Sequence, residues 1–127
     1  MYPKFFKCMR CGNIAVKVHD SGVPMVCCGE KMTELEPNTV EASGEKHLPV
    51  VTLDGDLVKV NVGSADHPMI PEHYIEFIYL YTEKGGQIAW LKAGDKPYAE
   101  FAISEGDKPL AAFAYCNLHG LWKTDIG

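Results

Sequence analysis

The chain has 127 residues, 46% of them hydrophobic, with 12 Lys and Arg against 17 Asp and Glu and a net charge of −5. That length and apolar share allow one folded domain, or one domain with a small appendage, around an ordinary core. The acidic balance, without a basic block, argues against nucleic acid as a partner, and no apolar run approaches the roughly 20 residues that span a bilayer.

In chain order, the opening Met1-Tyr-Pro-Lys-Phe-Phe-Lys-Cys8 lacks the apolar stretch of a signal peptide, which makes the cytoplasm the expected compartment. Five cysteines without an export signal argue against a disulfide framework. Four of them, Cys8, Cys11, Cys27 and Cys28, fall in the first segment, and Cys116 stands alone. β-rich runs at Lys4–Asn13, Ile14–Val18 and Val23–Glu30 are parted by Gly12, Asp20-Ser21-Gly22 and Gly29. About 36 residues are too few for an unaided core, so a metal is expected to hold this segment together. Cys8-x-x-Cys11 with Cys27-Cys28 supplies four thiolates, a set that suits zinc and iron alike. Around ferrous iron such a set carries a charge of −2, which calls for amide donors to the sulfurs. The adjacent pair Cys27-Cys28 implies a distorted tetrahedron.

Glu36-Pro37-Asn38 reads as a boundary, dividing the chain into domains 1–37 and 38–127. Beyond it the pattern is β throughout. Leu48–Leu53 and Asp56–Val62 form a hairpin across Asp54-Gly55, with Val58, Val60 and Val62 on one apolar face. His73–Thr82 is a long aromatic strand turned by Lys84-Gly85-Gly86 into Gln87–Leu91, and Tyr98–Ile103 and Leu110–Tyr115 follow. Strands at this spacing, with no convincing helix, predict an antiparallel sandwich.

A lone histidine is more often a surface or core residue than a ligand, and His19 is read that way. The grouping of the others is different. Glu45-Lys46-His47-Leu48-Pro49 precedes the first sandwich strand, and Asp66-His67-Pro68 and Pro71-Glu72-His73 share one turn-rich loop. Cys116-Asn117-Leu118-His119 follows the last long strand, so all four histidines lie where a rigid sandwich can present them on one rim. Four imidazoles and one thiolate suit a transition metal, leave one octahedral position open and, around ferrous iron, carry about +1, which favours a small anion. Unrelated histidines on a sandwich remain the alternative.

Cys8-x-x-Cys11 with Cys27-Cys28-Gly29 resembles the desulforedoxin type of rubredoxin-like domain, and Glu45-Lys-His-Leu-Pro49, His67-Pro68, His73 and Cys116-Asn-Leu-His-Gly-Leu-Trp122 resemble the superoxide reductase signature. Together, and over essentially the whole chain, they resemble the desulfoferrodoxin family of two-iron superoxide reductases. The resemblance implies an all-β fold, a small desulforedoxin-like knot followed by an immunoglobulin-like sandwich. It implies one iron on Cys8, Cys11, Cys27 and Cys28, and a catalytic iron on equatorial His47, His67, His73 and His119 with Cys116 axial. It further implies one-electron reduction of superoxide to hydrogen peroxide opposite Cys116, a rubredoxin-type electron donor, a homodimer, and Glu45 as the ligand that closes the oxidised site. Lys46, beside His47 on a negative protein, is the candidate for steering the anion. The competing readings are a non-catalytic iron electron carrier, a zinc-stabilised interaction module with incidental histidines, and a dismutase.

Overall fold

Short β segments broken by glycine turns build the first unit, Met1–Glu36, of the computed structural model, which describes residues 2–127. β1 (Phe5–Lys7) lies between β2 (Ile14–Val16) and β5 (Thr33–Glu34), all antiparallel. β3 (Val26–Cys27) pairs with β4 (Glu30–Lys31) around a two-residue loop, Cys28-Gly29. β2 stops at Val16, two residues short of the sequence expectation, because Asp20 draws the following chain into a loop. The Asp20 carboxylate accepts from the Gly22 N–H and the Lys17 ammonium, both at 2.8 Å, and Lys17 also donates to the Val23 carbonyl at 3.0 Å.

The second unit, Pro37–Gly127, is a two-sheet antiparallel sandwich. After a single helical turn, α1 (Gly44–His47), come β6 (Pro49–Asp54), β7 (Leu57–Val62), β8 (Ile75–Thr82), β9 (Gly85–Trp90), β10 (Tyr98–Ala102), β11 (Pro109–Cys116) and β12 (Gly120–Asp125). One sheet runs β10-β7-β6 and the other β12-β11-β8-β9. The all-β expectation holds, with two departures: α1 replaces extended chain ahead of the first strand, and β12 extends the sheet after the last strand expected. The β6–β7 hairpin also turns one residue later than expected, on Gly55-Asp56, with Gly55 at φ 62°.

Strict alternation on β7 buries Val58, Val60 and Val62 completely against Ile75, Ile78 and Leu80 of β8 and Ala112, Ala114 and Cys116 of β11. Each of the valines gains roughly 2 kcal/mol from burial. The β11–β8 ladder carries a bulge next to the site: Tyr115 opposes Phe77, but Cys116 opposes Ile75, skipping Glu76. The extra residue puts an apolar side chain, not a carboxylate, across from the cysteine. No helix among the described residues is long and apolar enough to cross a membrane.

Candidate metal centres

In the first unit the four cysteine sulfurs lie within 4.8 Å of one another. Cys11 and Cys27 sulfurs are 3.6 Å apart, and those of Cys27 and Cys28 are 4.0 Å apart. Four sulfurs about 2.3 Å from a common ion stand about 3.8 Å apart, so the spacing fits a tetrahedral thiolate site. The turns explain how. Gly12, at φ 85°, donates its N–H to the Cys8 carbonyl at 2.9 Å, and the Cys11 N–H points at the Cys8 sulfur at 3.4 Å.

The vicinal pair works through the β3–β4 loop. Cys28 and Gly29 both have positive φ, 53° and 76°, the signature of a type I′ hairpin turn. Left-handed backbone costs a side chain roughly 1–2 kcal/mol, and here it swings the Cys28 thiol to the same side as that of Cys27. The Asn13 side-chain amide adds a donor to the Cys27 sulfur at 3.6 Å.

Crowding splits the thiols. Backbone N–H groups of Cys11 and Arg10 lower Cys8 to about 6, whereas the neighbouring thiols of Cys11, Cys8 and Cys27 push Cys28 up to about 12. Four coexisting thiolates therefore need a cation among them.

The second centre sits on one rim of the sandwich. His47 ends α1, His67 follows the turn after β7, His73 precedes β8, Cys116 ends β11, and His119 lies in the turn into β12. The four rings form a square. Neighbours around it, His47–His67, His67–His73, His73–His119 and His119–His47, have centroids 4.7, 4.6, 5.1 and 4.9 Å apart and stand nearly perpendicular, at 78–84°. Across the diagonal, His47 and His73 are 6.3 Å apart and tilted by 30°. The inner nitrogens of His67 and His47 are 3.2 Å apart, and those of His47 and His119 are 3.1 Å apart. Four nitrogens about 2.1 Å from one ion would be separated by about 3.0 Å.

His119 enters with Nδ1, whereas His47 and His67 enter with Nε2. The last two are fixed from behind, because their Nδ1 atoms each lie 2.7 Å from a backbone carbonyl, Ser43 for His47 and Pro68 for His67. That bond assigns the proton to Nδ1 and leaves the Nε2 lone pair facing inward. The Nε2 of His73 is buried with no hydrogen-bond partner among the described residues, an atom made for a ligand. Cys116, 0% exposed, brings its sulfur to 3.9 Å from His119 Nδ1 and accepts the His119 N–H at 3.4 Å. Burial raises the Cys116 thiol and lowers all three of His47, His67 and His73, with His67 brought down to about 4. Neutral imidazoles are the ligating form, and the thiol needs a cation to lose its proton.

Every metal-ligating residue expected from the sequence is thus in one of the two clusters, and exposed His19 is in neither. Glu45 and Lys46 are exposed on α1, and among the described residues neither side chain is paired. Two contributors escaped the sequence reading. Trp122 stacks on His47 at 4.9 Å and donates its indole N–H to the His119 carbonyl at 3.0 Å. Gly63, at φ 88°, lies so close to α1 that an added Cβ would meet the Lys46 and Glu45 carbonyls at 2.8 and 2.9 Å, and that of Ala65 closer still. Trp122, three residues beyond His119, was visible in sequence but mute about its contacts.

Comparison with known proteins agrees with this geometry. Residues 39–125 match the family described as Desulfoferrodoxin, and residues 3–35 match Desulfoferrodoxin, N-terminal domain. The chain is 44% identical over 119 residues to a desulfoferrodoxin homolog of Archaeoglobus fulgidus, covering 94% of each. It is 43% identical over 122 residues to the desulfoferrodoxin of Nitratidesulfovibrio vulgaris, covering 96% of this chain and 95% of that one. Its fold matches the crystal structure of the superoxide reductase from Treponema pallidum with a TM-score of 0.84 and 38% identity, over 98% of this chain and 100% of that one.

Proposed function

The chain belongs to the desulfoferrodoxin family, and on that premise we propose that it is a superoxide reductase, an oxidoreductase that converts superoxide to hydrogen peroxide. The observation that carries the reading is the square of four imidazoles closed by one buried thiol, a donor set suited to a redox-active metal with one position left for a small anion. Its cofactors are two mononuclear non-haem irons, one on four cysteines and one on four histidines and a cysteine. Domain 1–37 takes the first through Cys8, Cys11, Cys27 and Cys28. Domain 38–127 takes the second through His47, His67, His73, His119 and Cys116.

Held by His47, His67, His73, His119 and Cys116, iron would supply the one electron that superoxide gains, with two protons completing hydrogen peroxide. The protein's own groups set the terms. Nδ1–carbonyl bonds hold His47 and His67 as neutral donors, so the square keeps its plane without charge of its own. Cys116, buried at the same cluster, would hold the metal as a thiolate and lend it electron density. Its sulfur is moderated by the His119 N–H. Lys46, whose charge already bears on His47 and His73, draws the anion towards the rim against the net charge of the protein. Glu45, exposed on the same turn as His47, would offer its carboxylate to the oxidised metal.

A rubredoxin-type protein is the proposed electron source and the cytoplasm the proposed compartment, since all five cysteines are unpaired and thiolate ligation needs reducing surroundings. A homodimer is proposed because β9 is an edge strand that leaves Ile88 42% and Trp90 79% exposed, a surface suited to cover by a second copy.

The deciding experiment is metal analysis of anaerobically purified protein, followed by pulse-generated superoxide kinetics on the reduced form. Two irons per chain and rapid, stoichiometric oxidation with peroxide as product are expected. Iron that superoxide does not oxidise would leave an electron carrier.

A further inference from the structure

The four imidazoles are not held alike. His47 and His67 are anchored through their own rings, and the His119 carbonyl is held by the Trp122 indole. Among the described residues the His73 ring has no hydrogen bond, and its Nε2 is buried. Something other than the ring has to locate it.

The turn carrying His73 is closed on itself by a reciprocal pair, Ile70 N–H to the His73 carbonyl and His73 N–H to the Ile70 carbonyl, both 3.0 Å. Such a pair makes the turn rigid without fixing where it stands relative to the thiolate. Asn117 does that. Its Oδ1 accepts the Tyr74 N–H at 3.0 Å, its Nδ2 donates to the Glu72 carbonyl at 3.0 Å, and its own N–H donates to the Tyr74 carbonyl at 3.2 Å. The residues on both sides of His73 are thereby tied to the residue next to Cys116.

We infer that Asn117 is the positioning residue of the second centre: its side-chain amide grips the main chain on either side of His73 and sets that imidazole against the Cys116 sulfur. The inference rests on the reading of this cluster as an iron site. The amide is suited to the task because the grip needs one donor and one acceptor at the same reach. An aspartate keeps the acceptor for Tyr74 but sets an oxygen against the Glu72 carbonyl, and an alanine removes both bonds.

The test compares parent, Asn117→Asp and Asn117→Ala as full-length, iron-loaded proteins. Iron retention at the second centre is measured by chelator competition, together with the thiolate-to-iron charge-transfer band and the ferric EPR signal. Absorption of the four-cysteine iron and the circular dichroism of the sheets serve as internal controls. Groups that orient metal ligands typically contribute 10–100-fold in metal affinity. Asn117→Asp is accordingly expected to release second-centre iron about 10–100-fold more readily. Its charge-transfer band and EPR signal should shift, while the sheet signal and the four-cysteine absorption stay at parental values. Asn117→Ala should show the same pattern more strongly. Retention within about twofold of parent with an unmoved band in Asn117→Asp would overturn the inference, as would iron loss that occurs only together with loss of the sheet signal. A parent protein whose second centre takes no iron would overturn the proposed function and this inference with it.

Discussion

Cys116 concentrates the chemistry of the second centre in one atom, buried beneath four rings and accepting a backbone N–H. Serine at this position keeps the volume but not the soft, electron-rich donor, so Cys116→Ser is expected to abolish reductase activity and the charge-transfer band, as stopped-flow and absorption spectra would report. On α1, Lys46→Ala should slow the bimolecular reaction with superoxide and flatten its dependence on ionic strength, while Glu45→Ala should leave that step intact and change the oxidised spectrum. Burial also gives the site a pH signature. His67 is lowered to about 4 from an ordinary value of 6.5, so between those limits the unfolded chain binds protons that folded His67 refuses. The stability it contributes is complete above 6.5 and is lost as the pH falls through about 4. Thermal melting of metal-free protein from neutral to pH 4 should show that decline, and a flat profile would contradict it.

The elements differ in how much of them was legible from sequence. β7 was readable because Val58, Val60 and Val62 alternate with polar neighbours, and a period of two has one structural meaning when one face must be buried. The ligands were readable because imidazole and thiol at turn positions have few other uses together. α1 was not: one helical turn has no periodicity to betray it, and it is held by capture, the Glu45 carbonyl accepting from the Ala65 N–H at 3.0 Å and the Ser64 hydroxyl at 3.2 Å. β12 was hidden by its mixed polarity, Leu121-Trp122-Lys123-Thr124, which makes sense only beside β11. The bulge at Glu76 was equally silent, since it is a property of two strands and not of either. Gly63 shows what this capture demands. Gly63→Ala would meet the Lys46 and Glu45 carbonyls and force left-handed backbone on a side chain, so a loss of about 3 kcal/mol is expected, with Lys46 and His47 displaced. Chemical denaturation and iron retention measure the two consequences separately.

At the scale of the molecule, the two units depend on metal to different degrees. The first unit, with strands of two or three residues, has little apolar surface to bury, and its turns are organised around four sulfurs. The second has a continuous apolar core from Val58 to Ala114, which among the rim ligands of the described residues only Cys116 joins. Removing both metals under reducing conditions should therefore unfold the first unit and leave the sandwich standing, seen as selective loss of amide protection in residues 2–36 and retained protection in β7, β8 and β11. Equal loss in both would mean that the sandwich too is built on its metal. The order of the ligands along the chain adds a difference in time. The four-cysteine set is complete once Cys28 has been made, whereas the imidazole square lacks its fourth corner until His119 has been synthesised and β11 has found its register against β8. During translation the first iron can be captured by a nascent chain, and the second can be captured only by a nearly finished one. A shortage of iron during synthesis would then fall on the catalytic centre last to form, leaving half-loaded molecules coloured by the first iron and inert towards superoxide.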